Sequence, residues 1–348
     1  MNITQGLKKF ALTASIAFLA VPAFAQTTAT TVPVGFITVT IPAANPPTIP
    51  EQSAAFAAPL YNSADFQGAV ASVTATQINF AGTPLTSGAF DQPAAAATPR
   101  AVRVKTSANP ASVGLLFLIS LNTANQVTVT NAPDLTTVLA ANDTVEIIRV
   151  NTLGSVFGTT TPLLTPNAGG VDFADNVYVL SKGAGGADNW SVYFHNTTSW
   201  RVSGAGGNKN NTILYPDEGV FIVHRGTSPV TLTVMGTVPN TSEQTDLFAS
   251  GSTFLANRFP TDITFLSSGI ASTAGWVADA DVNVADKVYF WDTVTGSWQT
   301  YYHNGSSWRL SGAGGSKNST LIKAGTAVIL QRASNSGASL TQALPYSL

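Results

Sequence analysis

Trp190–Ile213 reads WSVYFHNTTSWRVSGAGGNKNNTI, and Trp298–Leu321 reads WQTYYHNGSSWRLSGAGGSKNSTL. The two blocks align without gaps, 108 residues apart, with 15 identities in 24 positions. Each has the grammar of a β-hairpin. Apolar and aromatic residues alternate with period two, so Trp190, Val192 and Phe194 share one face and Tyr193 and His195 the other. Asn304-Gly305 is a strong two-residue turn signal, matched by Asn196-Thr197 in the first copy. Trp200-Arg201 and Trp308-Arg309 open the returning strand, and Gly-Ala-Gly-Gly follows in both. No Gly-Lys-Ser/Thr leads from these glycines into a helix, as a phosphate-binding loop requires. Glycine's tolerance of positive φ makes them turns.

The likeness extends outward. Asp175–Leu180, DNVYVL, matches Asp286–Trp291, DKVYFW. Each block then runs into a strand ending in arginine, Val220–Arg225 and Ala327–Arg332, which sets His224 against Gln331. A last strand follows in each, Val230–Val238 and Ser339–Tyr346. The fold expected is mainly β: a β-rich domain over 33–150, then two homologous β-meander units, sandwich- or barrel-like, over 151–240 and 241–348. Either each unit is a small β domain, or the two pair open sheets about a pseudo-two-fold axis and share one core.

Upstream, Gly35–Ile41 alternates as a strand with one buried face. The proline-rich stretch Pro42–Pro50 interrupts it. Hairpins are expected to turn near Thr74–Thr76 and over Leu121–Asn125. A helical turn is expected at Asp134–Leu139, and a last strand over Thr144–Val150. Gln92–Pro99 reads as a loop or a short helix.

Residues 1–25 read as a signal peptide. Lys8 and Lys9 precede the apolar run Phe10–Ala20, and Ala23-Phe24-Ala25 offers a small-x-small cleavage site. That run is shorter than the roughly 20 residues needed to span a bilayer. Residues 26–32 form a flexible lead-in. The expected destination is outside the cytoplasm, extracellular, surface-bound or periplasmic, with no transmembrane segment in the mature chain. There is no cysteine, so packing alone must hold an exported fold. Charged residues make up 10% of the chain, against about 25% in typical soluble proteins. Without Lys8 and Lys9, 14 basic and 18 acidic residues remain. That balance excludes the electrostatic footprint of a nucleic-acid binder.

Few residues carry chemistry. The histidines are His195, His224 and His303, and their spacing supplies no three-ligand metal set. Asp279-Ala-Asp281-Val-Asn283 starts like a calcium loop, but Val284 stands where the sharp-turn glycine belongs. No Gly-x-Ser-x-Gly elbow occurs. Asp217-Glu218 is the one pair of adjacent acids. No catalytic residue, metal or cofactor is therefore assigned. The residues that remain are Tyr193, Trp200, Arg201, Tyr301, Trp308 and Arg309, aromatic and cationic side chains at the repeated hairpins. Exposed, they would stack on sugar rings and hydrogen-bond their hydroxyls. Buried, they would be core.

PLYNSADFQGAV (Pro59–Val70), NTLGSVFG (Asn151–Gly158), YPDEGVFIVHRG (Tyr215–Gly226) and the doubled YHNGSSWR-type block resemble a family of exported bacterial proteins of unknown function found in Verrucomicrobia and relatives. The resemblance implies export and a β-rich build, and transfers no catalytic residue. Repeat 2 departs from it with IKAGTAV (Ile322–Val328), so any role for Asp217 or Glu218 belongs to the first copy. The expected function is an exported, non-enzymatic structural, surface or adhesive protein. The alternative is a carbohydrate-binding module. The partners expected are extracellular glycan, envelope or matrix components, or further copies of the chain.

Overall fold

The computed structural model describes residues 33–92, 98–130, 133–182, 186–248, 251–333 and 336–347. The expected signal peptide and lead-in, the alanines within Gln92–Pro99 and most of the Gly183–Gly186 glycine run lie outside them. The fold is mainly antiparallel β.

Two strands open the described chain, β1 (Val34–Ile41) and β2 (Gln52–Ala57). Six more follow: β3 (Ala64–Val73), β4 (Gln77–Phe80), β5 (Arg100–Thr106), β6 (Leu116–Asn122), β7 (Gln126–Thr130) and β8 (Thr144–Arg149). Next come β9 (Asn151–Thr152), helix α1 (Leu153–Phe157), β10 (Asn176–Lys182), β11 (Asp188–His195), β12 (Trp200–Val202), β13 (Ile213–Leu214), β14 (Gly219–His224) and β15 (Val230–Thr237). The last third holds β16 (Glu243–Leu247), β17 (Gly251–Ala256), β18 (Ile263–Thr264), β19 (Lys287–Asp292), β20 (Ser297–His303), β21 (Trp308–Leu310), β22 (Leu321–Ile322), β23 (Ala327–Arg332) and β24 (Ala338–Gln342).

The pairings reveal how the repeats are cut. Repeat 1 forms a five-stranded sheet in the order β12-β11-β10-β14-β2, with a ribbon β1-β15 and a short pair β9-β13. Repeat 2 reproduces each piece: β21-β20-β19-β23-β17, β16-β24 and β18-β22. So β1 and β2 belong to repeat 1, and the boundary expected at residue 150 cuts across a sheet. The register matches too, with Gly219 opposite Ala57 and Ala327 opposite Ala256. It sets His224 against Arg332, one residue from the alignment read off the sequence.

Between β2 and β9, repeat 1 carries β3 to β8. These close into a barrel in the order β3-β4-β7-β6-β5-β8, around Ile78, Val102, Phe117, Ile119, Val127 and Ile147. Register shifts in β3, β5 and β6 supply bulges, which bend strands enough to close so small a barrel. The hairpins expected at Thr74–Thr76 and Leu121–Asn125 are β3-β4 and β6-β7. Leu135–Thr137 is a 3-10 turn, with Asp134 Oδ1 accepting from Thr136 N at 3.0 Å. The barrel's entry and exit lie side by side, because Asn62 Nδ2 donates to Arg149 O (3.0 Å) and Asn151 Oδ1 (3.2 Å).

Each five-stranded sheet is covered on both faces. One face of repeat 1 packs its own ribbon and α1 around Phe56, Phe157, Trp200, Ile222 and Leu232. Repeat 2 does the same around Leu255, Phe265, Trp308, Leu330 and Leu340. The opposite faces meet each other: Ala55, Ala57 and Leu180 against Phe254, Ala256 and Ala327, with Phe221, Trp291 and Trp298 alongside. Two reciprocal bonds mark the pseudo-two-fold relation. Ala57 N donates to Gly325 O (2.8 Å), and at the equivalent positions Ala256 N donates to Asp217 O (3.0 Å). The sheets approach so closely that a Cβ on Gly219 would lie 2.2 Å from that of Ala327. Each repeat keeps a core of its own, and the two also pair their sheets through a smaller cluster between them.

Candidate functional site

Of the two readings open for the six side chains at the repeated hairpins, the aromatic members take the core and not the sugar platform. Trp200 is 0% exposed and Trp308 1%. Trp200 donates its backbone N–H to Asn210 Oδ1 (2.9 Å) and its indole N–H to Gly158 O (2.8 Å), with Phe157 and His195 against its ring. Trp308 stacks on Phe265 with centroids 4.9 Å apart, and its backbone N–H meets Asn318 Oδ1 at 2.8 Å. Tyr193 packs on the repeat 1 core, and Tyr301 is buried beside Phe265. Arg201 and Arg309, half-buried, alternate with the tryptophans along their strands and so project from the opposite face. Stacking of a ligand on Trp200 or Trp308 is thereby overturned. Period two separates the faces correctly, and the face that carries Tyr193, His195 and Trp200 is the core of repeat 1.

The repeated glycines are turns, with Gly204, Gly207, Gly312 and Gly315 all at positive φ. The histidines are structural as well. His195 Nε2 meets Thr159 O at 2.7 Å, and His303 lies edge-on to Trp308. His224 sits between Asp175 Oδ2 (2.6 Å from Nδ1) and Ser228 O (2.8 Å from Nε2). Burial opposes its charge, but these two acceptors outweigh it and raise its pKa. At the equivalent position Arg332 donates to Ser336 O at 3.1 Å, so both repeats bond the equivalent carbonyl from this place.

The face opposite the core carries an open aromatic cleft. Trp190 and Trp298, equivalent in the two repeats, line it with Tyr178, Phe221 and Ile329, around about 380 Å³. Phe221 and Ile329 are also equivalent, so the cleft lies where corresponding positions of the two copies meet. Trp190 is 39% exposed. Trp291, just behind, donates its indole N–H to Ser53 O (2.8 Å). The indole N–H groups of Trp190 and Trp298 and the Tyr178 hydroxyl have no hydrogen-bond partner among the described residues. They remain available to something in the cleft.

A second concavity lies where the barrel meets both repeats. Behind it is a buried ionic knot. Glu243, 0% exposed, accepts from Tyr61 Oη (2.6 Å), Arg258 (2.7 Å) and Arg103 of β5 (2.7 Å). Arg258 also donates to Tyr61 Oη, and the Arg103 guanidinium lies 4.0 Å from the Tyr61 ring centroid. Burial opposes charge on Arg103, but Tyr61, Glu243 and Glu146 more than offset it and hold the guanidinium protonated. Burial raises the Tyr61 phenol.

In front of the knot, a cavity of about 240 Å³ opens between Leu115, Leu116 and Leu118 of the barrel wall and the acids Asp217, Glu218 and Asp246. Burial, then the neighbouring Asp217 charge, pushes the Glu218 carboxyl up to about 8. Burial also raises Asp217, against the pull of Arg258. Tyr215 on the rim is pushed up to about 12 by burial and by both acids. Asp217-Glu218 stood out in the sequence as adjacent acids. Their cavity did not, because its other walls come from residues 115–118 and 244–258. The acidic stretch Asp279–Asn283 forms local turns, with Asp279 Oδ1 accepting from Asp281 N and Asp281 Oδ1 from Asn283 N.

No family model, curated protein or solved structure matches this chain. Among the described residues no helix is long and apolar enough to cross a membrane.

Proposed function

We propose that the protein is an exported surface protein with an adhesive role, and that it holds a sugar ring in the Trp190–Trp298 cleft. The observation that carries this reading is the pair of equivalent indoles with free N–H groups lining one open cleft. Aromatic faces take the C–H face of a pyranose, while the indole N–H groups and the Tyr178 hydroxyl supply hydrogen bonds at the rim. The lining holds no carboxylate, amine or imidazole, which favours holding a ligand over converting it. The charge-poor composition and the signal-like residues 1–25 support export.

Titration of tryptophan fluorescence with cello- and chito-oligosaccharides tests the reading. Saturable quenching is expected, weakened about tenfold or more by Trp190→Ala, roughly 1.4 kcal/mol. Trp190 is the informative site because it is part-exposed, so the variant retains its fold by circular dichroism. Quenching that survives Trp190→Ala and Trp298→Ala unchanged, or no quenching by any glycan, would overturn the proposal.

A further inference from the structure

The junction cavity stands apart from the aromatic cleft, on different residues and a different chemistry. Three walls enclose it: the barrel's leucines, repeat 1's Tyr215, Asp217 and Glu218, and repeat 2's Asp246, Phe248 and Arg258. Asp217, Glu218 and Asp246 make no ion pair among the described residues. Arg258 pulls on Asp217 through its charge but donates no hydrogen bond to any of the three, because its N–H groups turn back into the knot. Nη1 donates to Gln244 O (3.0 Å) and Thr245 Oγ1 (3.3 Å), and Nη2 to Tyr61 Oη and Glu243. Arg258 is 1% exposed, and its Nε has no partner. The cavity therefore presents unpaired carboxyls on one side and an aliphatic wall on the other, with the aromatic rings of Tyr215 and Phe248 among the lining.

We propose that this cavity binds a small organic cation, an alkylammonium or alkylguanidinium, with its charge at Asp217, Glu218 and Asp246 and its stem along Leu115, Leu116 and Leu118. Tyr215 suits the same ligand, since aromatic rings attract ammonium and guanidinium groups, as the Phe248 ring already does Lys182 Nζ, 4.8 Å from its centroid. A bare metal ion fits less well. Among the described residues no three carboxylate or imidazole side chains converge on one point as metal ligands do. A ligand with several N–H donors reaches separated carboxyls that a single ion does not. Repeat 2 lacks the site, because Gly325 and Thr326 stand where repeat 1 has Asp217 and Glu218. Burial raises the carboxyls of Asp217 and Glu218, and a cation bound beside them would lower both.

The test is isothermal titration of the full chain with n-butylamine and n-pentylamine at neutral pH, with n-pentanol and calcium chloride as controls. Saturable binding of the two amines is expected, with no binding of pentanol. Repeating the titration in buffers of different ionisation enthalpy should show proton release as Glu218 ionises on binding. Glu218→Gln and Asp246→Asn should each weaken amine binding about tenfold, roughly 1.4 kcal/mol, while Trp190→Ala leaves it unchanged. Thermal unfolding confirms that each variant is folded. Asp246→Asn is the safer variant, because Asp246 is exposed. Amine binding without proton release, binding insensitive to both variants, stabilisation by calcium but not by amines, or no saturation by about 10 mM amine (weaker than about 3 kcal/mol) would overturn the proposal.

Discussion

Where repeat 1 buries Ile37, Val234 and Pro59, repeat 2 buries Glu243, Gln342 and Arg258 at the corresponding places. The backbone is the same, and so is the pairing of ribbon on sheet. The difference is the neighbour. The repeat 1 positions look onto Gly325, whose absent side chain lets Ile37 and Val39 close in. Those of repeat 2 look onto the inserted barrel, from which Arg103 arrives with a charge. One scaffold thus carries an apolar solution and an ionic solution to the same packing problem. The ionic one appears where a third body docks, and it fixes which surface that body meets. A buried ion pair adds little net stability over well-packed apolar side chains, but losing one partner is costly.

The sharpest way to break the comparison is Glu243→Ala, which strands Arg103 and Arg258. A loss of about 3–5 kcal/mol in urea denaturation is expected. Converting repeat 2 toward the repeat 1 solution, with Glu243→Ile, Arg103→Met and Arg258→Met together, should recover most of it. Failure of the triple variant to exceed Glu243→Ala would show that the ions do more than balance each other.

Second in size is pH. The folded pKa of Glu218 lies near 8, above its ordinary 4.5. Its contribution to stability is therefore complete below pH 4.5 and lost as pH rises through about 8. His224, also raised, acts in the same direction. Thermal unfolding of the ligand-free protein between pH 4.5 and 8 should show a decline on the order of a few kcal/mol. Glu218→Gln should flatten most of that slope, and an unaltered slope would place its origin elsewhere.

Gly219→Ala should cost about 1–3 kcal/mol by forcing the two sheets apart. Ala327→Gly in the same chain should restore part of it, because the closest clash is with the Ala327 methyl and the Phe254 ring remains 2.9 Å away. Smallest and most symmetric are Asn210→Ala and Asn318→Ala. Each removes an acceptor for a tryptophan N–H, at a cost of about 1 kcal/mol. Near-equal losses are expected, and a clear difference would mean that the repeats no longer share their turn chemistry.

These comparisons also show what the sequence could disclose. The duplication was legible from identity between two blocks, and the Asn-centred turns, the glycine turns and the barrel hairpins because each is encoded by close neighbours in the sequence. The placement of β1 and β2 was not. VGFITVTI and QSAAFA share little with EQTDL and GSTFLA, and their partners lie far along the chain. Period two told which residues of β11 share a face, but both faces turned out to be covered, so alternation carried no signal of which side meets water. The tryptophans were consequently weighed in the wrong order. Trp200 and Trp308 drew attention through their arginine neighbours and proved to be core, while Trp190 and Trp298, at the start of the same hairpins, line the cleft.

The inserted barrel also sets the order in which this chain can assemble. Thr40 and Thr231, which meet across the β1-β15 ribbon, are 191 residues apart, whereas repeat 2 joins Leu247 to Ala338 within its own segment. Long-range pairing is slow because chain entropy must be lost before the contacts form. Three of the barrel's six pairings, β3-β4, β5-β6 and β6-β7, join strands adjacent in sequence, which shortens that delay. Once closed, the barrel brings Asn62 beside Asn151 and removes most of the intervening chain from the search. Repeat 1 is then the last part to close, and substitutions that slow the barrel should delay a sheet they never touch.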